Sequence, residues 1–197
     1  SKNEIAQGIV FPQDFLNKKN NKTLNNAFSI GNGIFALNND ELQRLSLSDK
    51  EKTLIKPYFT TSELFKYHGL KDNKYWIIYT SSEFKNPEKI EGYPNIKNHL
   101  DKFARVITSD NKPYGLHRTR NETFFQGEKI ISLRKCSGHP CFTYTDFDCY
   151  VSATFYVIKT ERVNQKLLTG FLNSSLCAFW LKNKGKMQGN NYQVDKE

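Results

Sequence analysis

Residues 112–135, KPYGLHRTRNETFFQGEKIISLRK, constrain this chain more than any other stretch. Lys112, His117, Arg118, Arg120, Lys129, Arg134 and Lys135 crowd around two acids, Glu122 and Glu128. A solvated charge run has nothing to bury, whereas Phe124, Phe125, Ile130, Ile131 and Leu133 give this one an apolar side. Gly127-Glu128-Lys129 ahead of the isoleucines predicts a loop entering a buried strand. Arg118 and Arg120 then sit on a loop held by that strand, and they face the same way if the backbone is extended. Forked guanidinium groups on a rigid mount suit phosphate contacts or a guanine edge in the major groove. An ordinary basic loop, with these arginines paired to Glu122 and Glu128, accounts for the same residues equally well.

The charge balance extends beyond this stretch. The 197 residues carry a formal net charge of +9, which favours a polyanionic partner and nucleic acid before membrane. Hydrophobic content of 38% and aromatic content of 14% fit a globular chain that buries a real core as one domain, with room for a small appended lobe. No apolar run reaches the length of about 18 residues that spans a bilayer. The beginning, SKNEIAQGIV, lacks both the layout of a signal peptide and an initiator Met, and the end is the charged Asp195-Lys196-Glu197. The expectation is a piece of something longer. Cys136, Cys141, Cys149 and Cys177 are too few and too irregular for a disulfide framework, so reduced thiols are expected.

Taken in order, the chain opens on an irregular lead-in to residue 29. A Gly-interrupted apolar run from Phe28 to Leu37 predicts a strand with a tight turn at Asn32. Asn39-Asp40 and the Ser48…Glu51 capping box predict short helices at 40–46 and 49–55, ending at Lys56-Pro57. Thr61 or Ser62 caps another short turn reaching Lys66. Tyr75 to Tyr79 is β-rich and predicts a buried strand. Pro94 opens a helix carrying Ile96, Leu100, Phe103 and Val106 or Ile107. Phe142 to Phe147 and Tyr150 to Lys159 read as strands. From about Asn164 a helical tract carries an apolar stripe of Leu168, Leu172, Leu176 and Phe179, or breaks into two helices with Ser174 capping the second. It ends in a basic tail free of acids, Lys182, Lys184, Gly185, Lys186 and Gly189.

Several constellations resemble chemistry without meeting its requirements. Gly31-x-Gly33 lacks the third glycine and the later acid of a dinucleotide site. Cys136, His139, Cys141 and Cys149 number four candidate zinc ligands, but the spacing is wrong for paired knuckles. Asp72, Glu83 and Lys85 have the order of a magnesium-dependent nuclease set, while Glu83 reads as a loop charge. Adenine methylation needs an Asn/Asp-Pro-Pro-Tyr/Phe element, and Asn86-Pro87-Glu88 falls short of it. A glycine-rich loop for a methyl donor is also missing. Phe124, Phe125, Tyr144, Phe147 and Tyr150 fit core packing better than a wedge into DNA.

Leu116-His117-Arg118-x-Arg120, followed by Phe125-x-Gly127-Glu128-Lys129-Ile130-Ile131, resembles the TaqI-like C-terminal specificity domain. Further landmarks resemble that family in order: Gly31, Gly33-Ile34-Phe35, Leu54-Ile55-Lys56-Pro57, Tyr75 to Tyr79, and Tyr93-Pro94-Asn95-Ile96 with Leu100. Leu172-Asn173-Ser174, Phe179-Trp180, and Gly189 with Gln193 resemble its closing landmarks. The resemblance implies the target-recognition part of an adenine-N6 DNA methyltransferase or a fused type IIG restriction enzyme. It also implies a strand, a turn and a strand at the cysteines, without metal. The expected fold is α+β: short, mainly antiparallel strands packed with helices and closed by a C-terminal helical tract. Residues 1–197 are expected to form the recognition domain, with 164–189 as its helical and basic portion. The expected partners are double-stranded DNA and a catalytic domain of the same polypeptide, in the cytoplasm, with no membrane. No cofactor is expected in this chain, S-adenosylmethionine and magnesium belonging to the catalytic parts. The candidate DNA contacts are His117, Arg118, Arg120, Lys129, Arg134, Lys135, Lys182, Lys184, Lys186 and Gln188. The competing readings are a small metal-dependent nuclease and a basic protein-interaction module.

Overall fold

Short strands and short helices alternate through residues 4–194, the part of the chain that the computed structural model describes. The first half contains β1 (Ile5–Gln7), α1 (Lys18–Thr23), β2 (Ala36–Asn38), α2 (Asn39–Arg44), α3 (Asp49–Lys52), β3 (Ile55–Phe59), β4 (Tyr67–His68), β5 (Tyr75–Ile78) and α4 (Pro94–Asp101). The second half contains β6 (Lys129–Leu133), β7 (Lys135–Ser137), β8 (Phe142–Thr145), β9 (Tyr150–Val151), β10 (Phe155–Ile158), α5 (Gln165–Leu172), α6 (Ser175–Lys184), β11 (Lys186–Gln188) and β12 (Asn191–Gln193). This is the expected α+β class, with mainly antiparallel pairing. The chain divides into two compact units. The first gathers the residues up to Gly8, Phe59–Asp72, and those from Arg120 onward; the second gathers Ile9–Tyr58 and Asn73–Thr119.

In the first unit five strands run in the order β1-β10-β6-β8-β4, antiparallel except for β4 beside β8. The run of Ile130 and Ile131 takes the central position because both faces there are covered. Val157 and Thr143 flank Ile131 on the neighbouring strands. Phe125 stacks on Tyr150 at 4.9 Å, both buried, so these aromatics pack the core as expected.

The helical tract expected over 164–189 breaks in two. Asn164 caps α5, Ser174 caps α6 by accepting from the Cys177 N–H at 3.2 Å, and α6 stops at Lys184. The break moves the apolar stripe. Leu168 and Leu172 are half-buried, but on α6 the covered residues are Cys177 and Ala178, leaving Leu176 and Phe179 exposed at 64% and 66%. A continuous helix would have kept all four leucine and phenylalanine positions on one face. Asn173 instead turns inward, exchanging hydrogen bonds with the Phe142 backbone, and the second helix starts in a new phase.

In the second unit β5 lies between β2 and β3, antiparallel to both, with Ile77 opposite Ala36 and Lys56. The apolar run from Phe28 yields a strand only from Ala36, because Gly31 at φ +90° turns the chain before it. The two short helices form as expected, each with a full capping box: Asn38 with Glu41, and Ser48 with Glu51. The cap of the first is thus one residue before the expected pair. Both helices end earlier than expected, and Lys56-Pro57 falls within β3. Glu51 is fully buried and also accepts from the Asn95 and Ile96 N–H groups at 2.7 and 3.2 Å, tying α3 to the start of α4. Burial alone would raise its pKa, but the bonds from Ser48 and Asn95 carry it down to about 2.

Candidate nucleic-acid interface

One element was hidden in the expected basic tail. After α6 the chain passes through Gly185, where a Cβ would lie 2.5 Å from the Leu181 carbonyl, and turns directly into β11. Gly189, at φ +60°, occupies the first central position of a two-residue turn, and β12 returns antiparallel to β11. β7 then adds to the other side of β12. The register aligns Lys186, Gln193 and Lys135 across the three strands, and likewise Gln188, Asn191 and Ser137.

Because side chains alternate, those six residues share one face and Met187, Tyr192 and Cys136 share the other. The apolar face packs on Ala178 and Leu181 of α6, with Leu133 and Cys141 beside them. Burial pushes the Cys136 thiol up to about 11, so it acts as a small apolar side chain. The opposite face is polar and uncovered: Lys135, Ser137, Lys186, Gln188 and Asn191 are exposed and Gln193 is half-buried. Asn and Gln amides match the donor–acceptor pair on adenine, and lysines match guanine or phosphate.

The structure sorts the other candidates by environment. Lys182 and Lys184 are exposed on the last turn of α6. Lys129 is fully buried, with its ammonium donating to the carbonyls of Gly127 and Phe147 at 2.7 and 2.5 Å. Burial drives its proton affinity down to about 8. Arg134 donates to the Ala153 carbonyl at 3.1 Å and lies over the Tyr156 ring. Arg120 spends its guanidinium on β1, donating to the carbonyls of Gln7 and Gly8 at 2.9 and 3.3 Å. Glu122 and Glu128 accept from the hydroxyls of Tyr150 and Tyr144. In the second unit, Arg118 is bridged to Val10 through its backbone and its side chain is exposed. His117 lies 3.4 Å from the Asp110 carboxylate.

Sequence reasoning missed Ser137, Asn191 and Gln193. The signal was present: Lys-Met-Gln, then Gly-Asn, then Asn-Tyr-Gln is period-two alternation around a turn pair. Among the described residues no three His, Cys, Asp or Glu side chains gather as metal ligands. Glu83 lies in a 3-10 turn, 3.9 Å from Lys89. No described helix is long and apolar enough to cross a membrane.

The α+β scaffold thus carries a small sheet with one polar, lysine-bearing face. Residues 56–196 match the TaqI-like C-terminal specificity domain, and the chain belongs to that family. A similar solved structure is that of the type IIL restriction-modification enzyme MmeI in complex with DNA, at 13% identity and a TM-score of 0.63. The similarity covers 98% of this chain and 23% of the MmeI chain, so this chain spans less than a quarter of that one. No curated protein matches this sequence.

Proposed function

We propose that this chain is the target-recognition domain of a restriction-modification enzyme and reads duplex DNA. The observation that carries the proposal is the polar face of the β11-β12-β7 sheet, where three strands in register set Lys135, Lys186, Ser137, Gln188, Asn191 and Gln193 side by side. Membership of a specificity-domain family and a fold shared with a DNA-bound restriction-modification enzyme support it. In this reading the amides address base edges and the lysines, with Lys182 and Lys184, address phosphates. The parent polypeptide is a cytoplasmic adenine-N6 methyltransferase, or its type IIG fusion to a nuclease. S-adenosylmethionine and magnesium serve its other domains, and the catalytic domain forms the second wall of the DNA cleft.

Duplex binding by this chain, followed by fluorescence anisotropy across a salt series, tests the proposal. About four to six phosphate contacts give a slope of log affinity against log salt of about −4 to −5. A flat salt response, or no binding at low salt, overturns it. Calorimetry with S-adenosylmethionine tests the division of labour, with no binding expected to this chain alone.

A further inference from the structure

Residues 60–71 of the first unit form a small hairpin whose tip is aromatic and basic. Leu64 and Gly69 bridge its arms, with the Phe65 N–H donating to the His68 carbonyl and the Leu70 N–H to the Glu63 carbonyl, both near 3 Å (3.0 and 2.9 Å). Its base is anchored: Glu63 is fully buried and accepts from the backbone and hydroxyl of Thr60 at 2.8 Å. The Thr143 hydroxyl donates to the Phe65 carbonyl at 2.6 Å, and β4 pairs with β8 at Tyr67 and His68. The mount is therefore stiff.

What it carries is strained and exposed. Tyr67 sits at φ +78°, in the left-handed region that favours glycine, yet its side chain is 50% exposed. Phe65 and Leu70 are exposed at 41% and 47%. The fold gains little from a ring held outside the core, and a glycine would suit the backbone better. The Lys66 ammonium lies over the Tyr67 ring, 5.2 Å from its centre, and His68 packs on Phe65. Of the acids nearby, Glu63 is buried, and Asp146 lies 3.7 Å from the Lys71 ammonium, away from Lys66 in sequence.

We infer that this hairpin is a base-stacking platform, on which the Tyr67 ring receives a nucleobase that has left the duplex stack while Lys66 faces the neighbouring phosphate. A rigid aromatic face with a cation at hand is the arrangement by which proteins hold unstacked bases. The inference rests on the DNA-recognition reading and adds a ligand class to it: a base exposed at an opened step.

The test compares two duplexes of one sequence, fully paired or with one base facing an abasic position. The wild-type chain should bind the opened duplex about tenfold more tightly, in the range set by stacking of one base on one ring. Tyr67→Phe should keep that preference. Tyr67→Gly should abolish it while raising the melting temperature, because it releases the left-handed strain. Full preference retained in Tyr67→Gly, or equal binding of both duplexes by the wild type, overturns the platform while leaving the DNA-recognition reading intact. Binding of neither duplex overturns both.

Discussion

Lys129 and Lys135 are six residues apart, with the parity that would place them on one face of a continuous strand, yet they meet opposite environments. Lys129 begins β6, in the middle of a five-stranded sheet with both faces covered, and its ammonium holds two carbonyls inside the protein. Lys135 begins β7, in a three-stranded sheet with one open face, and its side chain is exposed. The chain changes sheets at Arg134, and with that change the same residue type passes from scaffold to surface. A run of cations is therefore a poor guide to a binding site until each is assigned to a sheet and a face.

The comparison breaks most readily at Lys129. Lys129→Ala should cost about 3–4 kcal/mol in chemical denaturation, from the cavity and two unsatisfied carbonyls, whereas Lys135→Ala should stay within about 0.5 kcal/mol. Equal losses would erase the distinction. The pH response sharpens it. Burial lowers Lys129 from 10.5 to about 8, so between those values the unfolded chain holds a proton that the folded chain has lost. Stability from this group rises with pH across that window, by at most about 3 kcal/mol. Cys136 and Cys149, pushed up from 9.0 to about 11 and 12 by burial, pull the other way above about pH 9. The lysine contribution is therefore read as the difference between wild type and Lys129→Met, and a difference that does not change with pH would refute it.

In the second unit Glu51 holds the corresponding structural position. Glu51→Gln should destabilise by about 2 kcal/mol at neutral pH, since a neutral amide replaces a carboxylate accepting several hydrogen bonds. Its pKa is lowered from 4.5 to about 2 in the fold. Its contribution is present above pH 4.5 and disappears as pH falls toward 2, so wild type and variant should converge in acid denaturation.

On the open sheet the effects belong to DNA. In the full-length polypeptide, Gln188→Ala or Asn191→Ala should cost about 1–3 kcal/mol on the proper site and much less on scrambled duplex, without a change in melting temperature. Arg120→Ala should lower stability by about 1 kcal/mol and affect all DNA alike through folding, because its guanidinium holds β1. Arg118→Ala should leave stability unchanged. The smallest effect is expected at Lys184→Ala: slightly weaker binding to all sequences and a salt slope shallower by about one unit. A sequence-dependent loss there would move Lys184 from phosphate to base contact.

Much of the scaffold is written locally. The Ser48 box, Pro94 at the start of α4 and the buried Ile130-Ile131 strand depend on residues within a turn or two of one another, and the sequence specifies them unaided. The family resemblance was legible for the same reason, through short landmarks kept in order. What only the tertiary structure decided was the use of each charge. Whether Lys129 is buried, whether Arg120 reaches β1 and whether Lys186 joins Lys135 all depend on partners far along the chain, such as Phe147, Gln7 and Gln193. Long cationic side chains lie equally well along a core or in water, so composition cannot separate the two uses. Strand pairing does, because it determines which face each Cβ points to and whether anything covers that face.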